Sequence, residues 1–229
     1  MTSLELHGDV AVIKLDDGKV NALSLATSRE ILGHLDEVED SSKAVVLEGR
    51  DGIFSAGFDL KVMRSDDTDA KREMIAAGID LFLRLFTYSQ PVVTACTGHA
   101  VAAGAIVLMS SDLRIGADGE FQIGLNEISI GMVLPAFLVE IAGERLSPRH
   151  FTQATLLSRM YGPKEALEAG YLDEVTAPEK VAAVALERAT GFAANLDPKA
   201  FKISRGVARE AAAQRIAGSL SGDIAALLR

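Results

Sequence analysis

Thiols and rings are scarce in this chain: one cysteine, Cys96, no tryptophan, and 5% aromatic residues among 229. A lone thiol excludes an intramolecular disulfide and any multi-cysteine metal site, and it suits a reducing compartment. With few rings the core must be aliphatic, and hydrophobic residues supply 48% of the sequence. Basic residues are also in deficit, 23 Lys and Arg against 32 Asp and Glu for a net charge of −9. That balance opposes long-range attraction to nucleic acid or an anionic membrane. No apolar stretch is long and unbroken enough for a bilayer span, and Met1–Asp9 lacks a basic start followed by an apolar run. The expectation is a cytoplasmic protein with neither nucleic acid nor membrane as partner.

Motifs for bound cofactors are missing too. There is no Walker phosphate loop, no GxGxxG after the first strand, no GxSxG nucleophile elbow, and no His/Cys/carboxylate spacing of a common metal site. No metal and no bound cofactor are expected. His7, His34, His99 and His150 lie in unrelated contexts, and only His99 adjoins a loop of interest. Lys61, Arg64, Lys71 and Arg72 form a modest basic cluster, a pattern that also describes a plain solvated helix face.

The length fits one core with a small helical appendage. Val10–Leu15 reads as a strand, Leu25–Val38 as a helix with one apolar face, and Lys43–Glu48 as a second strand parallel to the first. Ala70–Tyr88 spaces Met74, Ile75, Ile79, Phe82, Leu83 and Phe86 on a broad helical face that Pro91 ends. Val92–Cys96 is a third strand, and the small residues from Ala100 to Ala105 are read as opening a helix towards Ser111. Leu113–Ala117 and Phe121–Gly124 read as short strands, and Pro135 as the start of a helix through Ala142. Beyond Pro148 the chain reads as mainly helical. An α/β body over residues 1–177 and a packed helical region over 178–229 follow.

Two loops share one feature. Phe54–Leu60 (FSAGFDL) and Gly98–Gly104 (GHAVAAG) each follow a buried strand and lead into a helix. The first N–H groups of a helix lack internal partners and sit at its positive end, so two such ends facing one another can hold a negative oxygen. Two ordinary strand-to-helix turns would carry the same residues.

With Val20–Ser24 (VNALS), Gly98–Asp112, Gly124–Glu127 (GLNE) and Gly131, these loops stand in an order and spacing that resemble the enoyl-CoA hydratase/isomerase (crotonase) superfamily from about residue 9 to 177. Ile123–Glu127, Ile130-Gly131 and Pro135 are similar to the 3,2-trans-enoyl-CoA isomerase branch, whereas many members read Pro-Glu at Asn126-Glu127. The resemblance implies an α/β spiral of ββα units, a helical C-terminal region used in a homotrimer or dimer of trimers, and an acyl-CoA thioester as substrate, with coenzyme A as part of that substrate. It implies an oxyanion hole from the N–H groups of Phe58 and Ala103, and Glu127 as the proton carrier. By the same carry-over, Asn21, Ala22, Leu23, Ala56, Gly57, Asp59, Leu60, Ala102, Gly104, Asn126 and Leu134 bind substrate and CoA.

Hydratases of the superfamily hold water with a second glutamate, three residues after the second donor. Ile106 stands there, and it can neither orient water nor donate a proton. The reading is an isomerase moving a 3-enoyl to a 2-enoyl thioester through a dienolate. A hydratase, other thioester chemistry of the superfamily, with Asp118, Glu120 or Glu140 reaching the site, and a non-catalytic acyl-CoA-binding or assembly protein stay open as alternatives.

Overall fold

The computed structural model describes residues 2–228. Strands β1 (Thr2–His7) and β2 (Val10–Leu15) form an antiparallel hairpin, and helix α1 (Leu25–Val38) follows, its first turn capped by Ser24 accepting the Thr27 N–H. β3 (Ala44–Glu48) and β4 (Gly52–Ser55) precede the short α2 (Leu60–Met63) and the long α3 (Thr68–Thr87). β5 (Val92–Cys96), β6 (Gly98–Val101) and α4 (Ala103–Ser110) come next, then β7 (Leu113–Ala117) and β8 (Ile123–Gly124). The remainder carries α5 (Ala136–Arg145), α6 (Pro148–Thr155), α7 (Pro163–Ala169), β9 (Glu174–Thr176), α8 (Val181–Asn195) and α9 (Pro198–Leu227).

Six strands in the order β1-β2-β3-β5-β7-β9 make one sheet, parallel apart from β1. Its inner strands β2, β3 and β5 are buried and mainly apolar on both faces, as interior parallel strands must be, whereas the edge strand β1 is largely exposed. Ala11, Ile13 and Leu15 face the main core under α1, α3 and α4, while Val10 and Val12 pack against Val181, Ala185 and Ala189 of α8 on the other side. A smaller parallel sheet, β4-β6-β8, stands beside it.

Two local expectations change, and a third gains a strand. Ala100 belongs to β6 rather than to a helix, because Gly98–Val101 pairs with β4 on one side and β8 on the other, and those ladders override the helical preference of alanine. Of Phe121–Gly124 only Ile123-Gly124 is strand. The region after Pro148 is mainly helical as expected, but it also supplies β9, which completes the large sheet against β7.

The C-terminal helices lie on this chain's own body. α9 runs along α3 and α5, burying Ala212 and Ile216. Arg205 and Arg209 of α9 reach the end of α3 and the loop beyond, donating to the carbonyls of Phe86, Tyr88 and Gln90, and both grip Asp112. The Val92 N–H donates to the same carboxylate at 2.8 Å, so the helix is locked to the start of β5.

Candidate active site

The parallel strands β4, β6 and β8 are hydrogen-bonded neighbours, so their C-terminal ends emerge side by side. Each end delivers one piece of a site: Ala56-Gly57-Phe58 after β4, Ala102-Ala103 after β6, and Leu125-Asn126-Glu127 after β8. The three pieces meet around an apolar cavity of about 160 Å³. Ala56, Phe58, Ala102, Ala103, Ile106, Asn126 and Glu127 line it, with Met63, Ile75, Met132, Phe137 and Leu138 among the apolar walls.

Backbone geometry holds the first two pieces together. Gly57 has φ +89°, a region costly for residues with a Cβ, and a Cβ there would stand 3.1 Å from the Ala103 nitrogen and 3.0 Å from the Val101 carbonyl oxygen. Gly104 lets the first turn of α4 press against β4, since a Cβ on it would fall 2.3 Å from the Ser55 oxygen. Ala102 adopts φ +52° without being glycine, a strained conformation at the residue that immediately precedes the first turn of α4. Ala103 opens that helix, so its N–H has no partner within it, and Phe58 directly follows the glycine turn. Two main-chain donors therefore border one cavity.

Glu127 supplies the opposite chemistry. Only 6% of it is exposed, and its Oε2 has no hydrogen-bond partner among the described residues. Burial pushes its pKa up to about 7, its own N–H opposing the shift. The Ile130 and Met132 N–H groups donate to the Glu127 carbonyl at 3.1 and 2.9 Å through the turn that Gly131 closes, which fixes the backbone from which the carboxylate projects. A carboxyl balanced near neutrality in an apolar wall can both take and return a proton. Asp118 pairs with Lys164 and Glu140 with Arg215, and neither these nor Glu120 line the cavity.

The other sequence-derived positions divide into two groups. Leu60 lines the cavity and also an outer chamber of about 300 Å³, which shares Met63, Arg64, Ile130, Met132 and Leu227 and adds Lys71. Asn21, Ala22, Leu23, Gly57, Asp59, Gly104 and Leu134 do not line the cavity itself. Asn21 is committed to the scaffold: its amide donates to the Leu15 and Phe54 carbonyls, and its carbonyl accepts the Ser55 hydroxyl. The Leu23 N–H donates to the Gly57 carbonyl at 2.8 Å, the Ala22 N–H to Asp17, and Asp59 caps α2. Leu134 packs against the core. His99 accepts the Gln122 N–H and meets the Phe121 ring edge-on, away from the lining. Leu227 had no sequence signal, because only the folding back of α9 brings it to the site.

An α/β spiral with three parallel strand ends feeding one cavity is the crotonase fold. Residues 5–219 match the family described as enoyl-CoA hydratase/isomerase, and the chain belongs to that family. It is 32% identical over 219 residues to human mitochondrial enoyl-CoA delta isomerase 1, covering 94% of this chain and 72% of that protein. It is 30% identical over 211 residues to the short-chain-enoyl-CoA hydratase of Clostridium acetobutylicum, covering 88% and 78% respectively. The crystal structure of an enoyl-CoA hydratase from Mycobacterium ulcerans superimposes with a TM-score of 0.94 at 36% identity, covering 100% of this chain and 99% of that one. Among the described residues no helix is long and apolar enough to cross a membrane, and no cluster of three His, Cys, Asp or Glu side chains could hold a metal.

Proposed function

We propose that the protein isomerises 3-enoyl-CoA to 2-enoyl-CoA. The thioester oxygen accepts the N–H groups of Phe58 and Ala103, which preferentially stabilise the negative charge that develops there, each such donor being worth ~10²–10³ in rate. Ionised Glu127 removes a proton from C2, the electrons pass into a dienolate, and the same carboxyl returns the proton at C4, leaving the double bond between C2 and C3. Atoms balance without water and without a cofactor beyond the CoA of the substrate.

The observation that carries this reading is that Glu127 is the only carboxylate lining the cavity among the described residues, while Ile106, 2% exposed, also lines it at the position where the resemblance implies a second glutamate in hydratases. Arg64 and Lys71 beside the outer chamber give the CoA phosphates a basic approach. Assembly as a homotrimer or dimer of trimers and a cytoplasmic location belong to the same reading, the first from resemblance and the second from the lone thiol, which suits a reducing compartment.

The test is turnover of 3-enoyl-CoA and 2-enoyl-CoA by wild type and Glu127→Gln, with products identified by mass. Conversion of the 3-enoyl thioester to its isobaric 2-enoyl isomer, lost in the variant, is the expected result. Water addition to the 2-enoyl thioester as the main activity would instead make the protein a hydratase.

A further inference from the structure

Gly78 stands inside α3, where glycine weakens a helix relative to alanine, and its backbone needs none of glycine's freedom. Its neighbours on the buried face are Met74, Ile75, Leu81 and Phe82, three and four residues away. A Cβ on Gly78 would lie 2.3 Å from Cε1 and 2.5 Å from Cζ of Phe58. The missing side chain is thus a notch in α3, and the tip of the Phe58 ring is seated in it. That ring meets Phe82 at 6.1 Å between centroids, and Phe82 stacks on Phe137 at 5.9 Å. Phe58, Ile75 and Phe137 all line the inner cavity. The ring of Phe58 is a partition, with α3 behind it and the cavity before it.

We infer that Gly78 sets acyl-chain length: by seating the Phe58 ring in α3, it fixes the depth of the cavity that receives the acyl group. The inference rests on the acyl-CoA reading above and does not depend on whether isomerisation or hydration follows. Carbon atoms in contact sit ~3.5–4.0 Å apart, so a methyl at position 78 displaces the ring by about an ångström or more. Helix α3 closes the way back, and the ring moves into the cavity. Removing the ring has the opposite effect, because the notch then joins the cavity. Gly78 touches no substrate and acts through Phe58, whose N–H is a main-chain group and survives replacement of the ring.

The experiment measures binding of saturated acyl-CoA thioesters of increasing chain length, which do not turn over, to wild type, Gly78→Ala, Phe58→Ala and the double variant. A misfitting methylene changes discrimination ~10–200-fold. Gly78→Ala is expected to weaken the longest well-bound chain by about tenfold or more while sparing short ones. Phe58→Ala shifts the preference to longer chains, and the double variant follows Phe58→Ala, because a methyl facing no ring displaces nothing. If Gly78→Ala alone does not fold, recovery of folding and of the Phe58→Ala profile in the double variant carries the same test. A wild-type length ranking in Gly78→Ala, or independent addition of the two effects, overturns the inference alone. A wild type that binds no acyl-CoA of any length overturns the functional reading and this inference with it.

Discussion

The carboxylate of Asp223, near the end of α9, accepts the N–H of Phe137 at 3.0 Å and that of Ala136 at 2.7 Å. It caps the start of α5, a task Pro135 cannot perform because it has no side-chain oxygen. The Ser219 hydroxyl donates to the same carboxylate at 2.6 Å, and one turn beyond Asp223, Leu227 reaches the cavity. One buried side chain therefore joins the C-terminal helix to the helix that carries Phe137 and Leu138 into the wall.

Asp223→Ala leaves the two N–H groups without their partner and is expected to cost ~1–3 kcal/mol. Asp223→Asn should lie between, since only one of its two side-chain heteroatoms can accept. Urea unfolding reads the loss directly, and acyl-CoA affinity should fall with it as Leu227 loosens. An unchanged midpoint in Asp223→Ala would show that α5 holds its position without this cap.

Gly57→Ala tests the proposed oxyanion geometry. A methyl at φ +89° is strained, and it would crowd the Val101 carbonyl and the Ala103 nitrogen, pushing apart the two strand ends that carry the donors. Losing one aligned donor lowers kcat by ~10²-fold or more. Substrate affinity should change much less, because the charge those donors stabilise develops mainly in the transition state. Steady-state kinetics separate the two, and a rise in KM with kcat intact would mean that Gly57 shapes binding rather than catalysis.

How much of this was legible in the sequence depends on distance along the chain. The helix over Leu25–Val38 and the strand Val10–Leu15 appear with those bounds, because apolar periodicity and the flanking turn residues are local signals. β6 was not legible, since alanines favour a helix until β4 and β8 pair with their segment. The loop residues Phe58, Ala103 and Glu127 were found through motif order, and the fold brings all three to one cavity. Leu227, the Asp223 cap and the Gly78 notch were invisible, because each takes its meaning from a helix or a ring remote in sequence. Asn21 shows the converse: a motif residue whose side chain is spent on holding β2 to β4.

The buried carboxyl makes stability and activity depend on pH in opposite senses. Glu127 titrates near 4.5 when exposed and at about 7 in the fold, because burial disfavours its charged form. A carboxyl raised in this way imposes no penalty below about pH 4.5, where it is protonated in both states. As pH climbs from there towards 7 the unfolded chain ionises first, and wild type loses stability relative to Glu127→Gln. Above about pH 7 the loss is complete and on the order of 3 kcal/mol. Urea unfolding of both proteins at pH 5 and pH 8 should show their stability difference widening in favour of the glutamine variant. In the proposed reaction Glu127 abstracts the proton in its ionised form, so kcat/KM should rise with pH through a limb near 7 in the range where the fold is losing this contribution. A constant stability difference together with a flat rate profile across that range would mean that Glu127 is ionised throughout and that its wall is wetter than its burial indicates.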